Sequence, residues 1–140
     1  MGDSILLVNR DRTTINILTS LLKTEGYKVV SFDDMSKARS AIGSDGYSLM
    51  VACLDRLDED METIRTARAK QPSMPVIALA EPGLLSANGG LVANLGVFAC
   101  VEKPLKIQEL LSAVQRALDY GSSSAAQTET GFIVERRGVE

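Results

Sequence analysis

Reactive side chains stand at the ends of several short apolar runs in this sequence. Cys53 and Asp55 end the run LMVACLD, Asn9 and Arg10 follow ILLV, and Lys103 follows the run VFACVE. If these runs are parallel strands of one sheet, their carboxyl ends share an edge, where functional sites collect in such folds. A thiol beside two cations can have a lowered pKa and react as a thiolate. The spacing therefore predicts a site at this edge, with thiol chemistry at Cys53 as one possibility.

Acidic residues near the same positions offer a second chemistry. They could assemble a weak cation site, because carboxylate oxygens suit hard cations; the acids are Asp11, Asp58, Glu59 and Asp60. The simpler interpretation is that Asp11 caps a helix and that the other acids are solvated loop charge. Lys103 could hold an anion, but an ion pair with Asp11 or Asp55 is the simpler expectation. A buried Cys53 can likewise be just a small apolar residue.

The composition removes several classes of site. The chain has no histidine, which excludes an imidazole base, a Ser-His or Cys-His nucleophile and a Cys/His zinc site. The net charge of −3 argues against nucleic acid or an anionic membrane as a partner. No apolar run approaches the roughly 18 residues of a membrane span, and no signal peptide is recognisable. The expected location is cytoplasmic.

Five apolar runs alternate with five helical patterns over the first 120 of the 140 residues. Right-handed crossovers between such strands give a parallel five-stranded sheet covered on both faces, so we predict an α/β, (βα)5 three-layer sandwich. The helix predicted over residues 84–95 is weak because Gly89 and Gly90 lie inside it. Residues 1–120 are predicted to form one domain. Residues 121–140 are predicted to be a linker or tail, with disorder or the start of a further segment as the two alternatives.

Residues 4–119 resemble the receiver domain of two-component response regulators (CheY-like). The resemblance rests on the order and spacing of ILLV, GYKV, YSLMV, PVIAL and the pair Lys103-Pro104. It implies a flavodoxin-like fold with strand order 2-1-3-4-5 and a role in bacterial phosphorelay signal transduction.

The resemblance also implies which positions would carry the family's phosphoryl chemistry. The acidic pair that binds Mg²⁺ falls on Asn9 and Arg10, and the phosphoacceptor aspartate falls on Cys53. The switch hydroxyl and the switch aromatic fall on the positions Ala80 and Cys100.

Two further positions keep the family's residues. The pair Lys103-Pro104 is retained, and Asp60 matches the aspartate of an Asp-Gly pair whose glycine is Met61 here. Because an amide, a guanidinium and a thiol are poor ligands for Mg²⁺, the chain is interpreted as a pseudo-receiver that lacks its acceptor. It is expected to be a non-enzymatic signalling protein with no cofactor.

Proteins are the expected partners of this module, which would act without phosphorylation. The family's output surface, helix 4, strand 5 and helix 5, maps to residues 84–95, 97–101 and 106–120, and a homodimer through it is a further expectation. Exposed apolar side chains there would support that expectation.

Other functions stay open. Asp55 could be the phosphoacceptor in a register shifted by two residues, with Mg²⁺ held by Asp11 and by Asp58 or Asp60. Cys53 could be a thiol redox sensor. A Cys53–Cys100 disulfide is excluded, because an intervening strand would set these residues about 9–10 Å apart, beyond the roughly 7 Å limit between bridged Cα atoms. A flavodoxin-like cofactor site is the weakest alternative, because no phosphate-binding loop follows any strand.

Overall fold

The computed structural model describes residues 3–42, 46–122 and 133–135. The strands are Ser4–Val8 (β1), Lys28–Phe32 (β2), Leu49–Cys53 (β3), Val76–Ala80 (β4), Ala99–Glu102 (β5) and Ile133–Glu135 (β6). The helices are Arg12–Thr24 (α1), Met35–Ala41 (α2), Leu57–Lys70 (α3), Pro82–Ala93 (α4) and Ile107–Ser122 (α5). Among these helices, none combines the length and apolar character needed to cross a membrane.

The strands form one parallel sheet in the order β2-β1-β3-β4-β5-β6. The predicted five-stranded arrangement, 2-1-3-4-5, is therefore confirmed. The structure adds β6, which pairs with the free edge of β5 inside the stretch predicted to be a linker or tail. Helix α5 also continues two residues past the predicted boundary at residue 120. Residues 123–132 and 136–140 lie outside the described residues.

The core has two layers, one on each face of the sheet. Side chains alternate between the faces along β1 to β5. On one face the strands pack against α1 and α5, and on the other against α2 and α3, with Leu84 of α4 joining that layer. All five side chains of β3 and of β4 are buried. Burial on both faces is why these strands read as continuous apolar runs.

The position of helix α1 is fixed by a cap at its start, by a glycine turn after its end and by one buried apolar stripe. The Asp11 carboxylate accepts the backbone N–H of Thr14, as the predicted helix cap should. Ile15, Leu18 and Leu22 are buried at helical spacing. Gly26 then takes φ +94°, a conformation that suits glycine, and the chain turns into β2.

Helix α4 begins two residues earlier than predicted, at Pro82 instead of residue 84, and ends at Ala93. Proline fits the first turn of a helix because its missing N–H has no intrahelical partner there. The sequence also predicts that glycines at residues 43–46 end the second helical pattern; residues 43–45 lie outside the described residues.

Candidate functional site

Three of the predicted site residues meet at the carboxyl edge of the sheet. The Lys103 Nζ donates to the Cys53 Sγ at 3.0 Å and lies 3.7 Å from the Asp55 Oδ1. The Cys53 thiol in turn donates to the same Asp55 oxygen at 3.4 Å. These contacts join the end of β3 to the end of β5 across β4, as the parallel sheet predicts.

The backbone around Lys103 fixes where its side chain begins. The Lys103 N–H donates to the carbonyl of Ala80 at 2.8 Å, which extends the pairing of β5 with β4 by one step. The Lys103-Pro104 peptide bond is cis. Partial burial works against the Lys103 ammonium, but its contacts with Cys53 and Asp55 outweigh that effect and raise the pKa of Lys103.

Arg10 and Asp60 form a second cluster at the same edge. The Asp60 Oδ2 accepts the backbone N–H of Asp55 at 2.6 Å, that of Arg56 at 2.8 Å and the Arg10 Nη1 at 2.9 Å. The Arg10 Nη2 lies 2.8 Å from the Asp60 Oδ1 and 2.9 Å from a Glu59 carboxylate oxygen. This one guanidinium thus ties the loop after β1 to the start of α3.

The environment of Asp60 corrects one interpretation of the acidic loop. Asp60 was expected to be solvated charge, yet it is only 2% exposed. A buried carboxylate needs several donors to offset lost hydration, and the two backbone N–H groups and Arg10 supply them. The hydrogen bond to Asp60 in turn raises the pKa of Arg10, with burial acting in the opposite direction.

Asn9 and Asp11 are engaged in local structure. Asn9 is buried, and its Oδ1 accepts the backbone N–H of Asp11 at 2.8 Å. The Asp11 carboxylate faces α1, where hydrogen bonds from Thr14 lower the pKa of Asp11. The helix-cap interpretation of Asp11 is confirmed, and the expected ion pair of Lys103 forms with Asp55.

The Cys53 thiol is buried, as the simpler interpretation expects, and it lacks the lowered pKa that the redox alternative requires. Cys53 is 1% exposed, and burial raises its pKa to about 11, although Lys103 acts to lower it. Arg10 does not act to lower the pKa of Cys53, because its guanidinium is bound to Asp60 and Glu59. The redox-sensor alternative therefore loses the feature that motivated it, since the thiolate is the reactive species.

Slow alkylation of Cys53 is the measurable consequence. At pH 8 its reaction with iodoacetamide is expected to be at least about 100-fold slower than that of an unperturbed thiol, because its thiolate fraction is that much smaller. The rate should rise as pH approaches the pKa of about 11. Lys103→Met should slow it further, whereas Lys106→Met, at an exposed position, should leave it unchanged. Peptide mass spectrometry separates Cys53 from Cys100, and fast labelling of Cys53 at pH 8 would contradict the assignment.

Ala80 and Cys100, the predicted switch positions, are both fully buried. Burial raises the pKa of Cys100 to about 12. Cys53 packs on the α1–α5 face of the sheet and Cys100 packs on the opposite face. Both thiols are free, so the exclusion of a Cys53–Cys100 disulfide is confirmed.

Three positions at this edge carry side chains that are poor ligands for Mg²⁺. At the two positions after β1 stand an amide and a guanidinium, and β3 ends in a thiol; a hard divalent ion prefers carboxylate oxygens. The positive charge of Arg10 lies beside Asp60 and Glu59, the acids nearest to it. Over the stretches that the structure describes, no three Cys, Asp or Glu side chains converge as a metal site would require.

The tie between Arg10 and Asp60 is the feature that sequence reasoning missed. A partial signal was present, because Asp60 was matched to a position of the family pattern while an arginine replaced an acid at position 10. An arginine at position 10, where the family has an acid, could have suggested an ion pair with Asp60. The direction of the Arg10 side chain depends on tertiary contacts, however, so the sequence alone does not give its partner.

Comparison with known proteins gives consistent matches. The family model for the response regulator receiver domain matches residues 5–115. Two curated relatives, the transcriptional regulatory proteins GlrR of Escherichia coli K12 and QseF of E. coli O157:H7, are each 28% identical over 134 residues, or 94% of this chain. The chain spans 30% of the length of these relatives.

Solved structures share the fold. A CheY-like receiver domain protein from Methanospirillum hungatei JF-1 has a TM-score of 0.80 at 24% identity, covering 86% of this chain and 97% of that one. The receiver domain of the sensor histidine kinase PA1611 from Pseudomonas aeruginosa PAO1, solved with magnesium in its active site cleft, has a TM-score of 0.76 at 24% identity. That match covers 85% of this chain and 99% of the other.

Proposed function

Because this chain belongs to the response regulator receiver domain family, we propose that it is a pseudo-receiver that signals through protein contacts without being phosphorylated. Receiver domains are signalling modules of two-component systems, and they act on proteins or effector domains. The module proposed here comprises roughly residues 1–120 and works in the cytoplasm without a bound cofactor.

The observation that carries this proposal is the replacement of the metal and acceptor groups by a closed set of contacts. Arg10 stands where the family has a metal-binding acid, and its charge is bound by Asp60 and Glu59. Cys53 stands where the family has the acceptor, and its thiol is bound to Lys103 and Asp55. The side chains at both positions are thus engaged with neighbouring residues instead of being open to a metal ion or a phosphoryl group.

Asp55 supports a second candidate function, that of a phosphoacceptor. Its side chain is 40% exposed and lies 3.7 Å from the ammonium of Lys103, which the family uses to contact phosphate. Against this candidate, β3 ends two residues earlier, and the backbone N–H of Asp55 is bound to Asp60. The Cys53 register is therefore the one that we propose.

Intact mass after incubation with acetyl phosphate and Mg²⁺ tests both functions. We expect no phosphoryl adduct on the protein, because a buried thiol with a pKa of about 11 is a poor acceptor and the Mg²⁺ ligands are missing. The Asp55→Asn variant is the matched control and should give the same mass behaviour. An adduct that disappears in Asp55→Asn would overturn the proposal and make Asp55 the acceptor.

The proposed contact surface is formed by α4, β5 and α5, and a homodimer through it is part of the proposal. At the start of α5, the large apolar side chain of Ile107 is 57% exposed, as is that of Ile17 on α1 at 61%. The exposed residues further along the described part of α5 are polar, including Arg116 and Asp119. An apolar anchor with a polar surround is typical of a modest protein interface.

A further inference from the structure

The sixth strand occupies the edge of the sheet that would otherwise be open. β6 pairs in parallel with β5 over three residue pairs, Ala99 with Ile133, Cys100 with Val134 and Val101 with Glu135. Without β6, β5 would be the edge strand of the sheet, with a row of unpaired backbone groups. Such an edge is a ready template for a strand of another chain.

The position of β6 also relates it to the proposed contact surface. Helix α5 packs on one face of the sheet in the cluster that contains Ala99 and Val101, while Leu84 of α4 packs against the opposite cluster, which contains Cys100. The two helices therefore lie on opposite faces of the sheet, and α5 contacts β5 directly. A strand on that edge lies within the α4–β5–α5 surface.

Its size makes β6 suited to exchange. Three residue pairs form a short ladder, and ten residues, 123–132, connect it to the end of α5. Because β6 belongs to the same chain as β5, its pairing is intramolecular, and a second molecule must compete with it at the effective concentration of a linked segment. A short strand held in this way can compete with a second molecule and still be displaced by it.

We propose that β6 is a built-in competitor that covers the β5 edge and holds back dimerisation through the α4–β5–α5 surface. This inference rests on the homodimer in the proposed function. The occupant that replaces β6 is the β5 edge of a second copy of this chain. A two-fold axis sets two β5 edges antiparallel, and it requires a self-complementary surface. The exposed side of α5 meets this requirement in charge, because it carries both Arg116 and Asp119.

A proline in β6 of the full chain tests the inference. Val134→Pro removes a backbone N–H and fixes φ, so it should disrupt the three-residue ladder. Val134→Thr, which keeps a β-branched side chain, is the matched control. In the proline variant we expect faster hydrogen exchange at backbone amides of Ala99–Glu102 in dilute, monomeric samples. Sedimentation should show a dimer dissociation constant at least tenfold lower than in the wild type. The threonine variant should match the wild type in both measurements.

A second substitution identifies the surface that the dimer uses. Ile107→Asp in the Val134→Pro background should abolish the gain in dimerisation, whereas Ile17→Asp should not. Ile17 is 61% exposed on α1, away from β5, so both substitutions change exposed positions and should leave the fold intact. A gain that survives Ile107→Asp would place the dimer elsewhere and overturn the inference.

Failure of this inference is distinguishable from failure of the proposed function. Unchanged amide exchange in Val134→Pro would show that β6 does not cover β5. Faster exchange, with wild type and variant forming dimers of equal affinity, would refute the competition alone. Faster exchange with no dimer in either protein at millimolar concentration would refute the homodimer as well. Phosphorylation-independence is judged separately, by the acetyl phosphate experiment.

Discussion

Replacing Arg10 with methionine is expected to lower the free energy of unfolding by about 2–4 kcal/mol. Removing one partner of a buried ion pair leaves an uncompensated charge, which typically costs about 3–5 kcal/mol. Asp60 is 2% exposed and would keep only the N–H groups of Asp55 and Arg56. The expected loss is somewhat smaller than for a fully buried pair because Arg10 itself is 19% exposed. Urea unfolding at pH 7 measures it.

Two further variants make this result specific to the pair. Arg12→Met removes a guanidinium that is 77% exposed and 3.4 Å from Asp33, so its effect should stay within about 0.5 kcal/mol. Asp60→Asn in the Arg10→Met background removes the uncompensated charge while keeping an acceptor, and should restore at least half of the loss. Equal effects of Arg10→Met and Arg12→Met would mean that Arg10 does not hold Asp60 in solution.

The fold was predictable from the sequence because its strands carry strong local signals. β1 contains the apolar run ILLV, and β3 lies within the run LMVACLD. A central parallel strand is buried on both faces, so it is apolar at every position and is bounded by polar loops. The amphipathic α1, with Ile15, Leu18 and Leu22 inside, is similarly readable.

The location of the site was predictable, but its electrostatics were not. Because the carboxyl ends of parallel strands share one edge of the sheet, Cys53 and Lys103 are expected to lie together. In the structure the Lys103 Nζ is 3.0 Å from the Cys53 Sγ. Cys53 is buried, as the simpler interpretation expected, and burial outweighs Lys103 there, so the lowered pKa that the redox alternative needed is not found. Arg10, the second cation of that alternative, is bound to Asp60 instead. The depth of burial of a residue and the direction of a long side chain are set by residues that are distant in the sequence. A local sequence pattern therefore does not predict them.

β6 shows a different limit of sequence reasoning. A three-residue strand is too short for a periodic pattern, and it follows a stretch rich in Ser, Ala and Thr that is typical of linkers. What places it is the free edge of β5, which is a property of the assembled sheet. The competition proposed for β6 follows from that edge.

The combined variant Asn9→Asp, Arg10→Asp and Cys53→Asp is expected to gain Mg²⁺ binding and phosphorylation by acetyl phosphate. It places carboxylates at the three positions where the family has them, beside a lysine that is already in place. For a dissociation constant of roughly 1 mM, about 10 mM Mg²⁺ would stabilise this variant by about 1.4 kcal/mol. The wild type should show no such stabilisation. Thermal unfolding with and without Mg²⁺ and intact mass give the two readouts.

Variants with only some of these substitutions separate the positions that bind Mg²⁺ from the position that accepts the phosphoryl group. Cys53→Asp alone should give no adduct, because Arg10 still holds a positive charge where a metal ligand is needed. Asn9→Asp with Arg10→Asp should bind Mg²⁺ but remain unlabelled, because the thiol of Cys53 still ends β3. Adding Asp55→Asn to the combined variant should leave the adduct in place. If that addition abolishes the adduct, position 55 accepts the phosphoryl group, and the two-residue shift in register is the correct one.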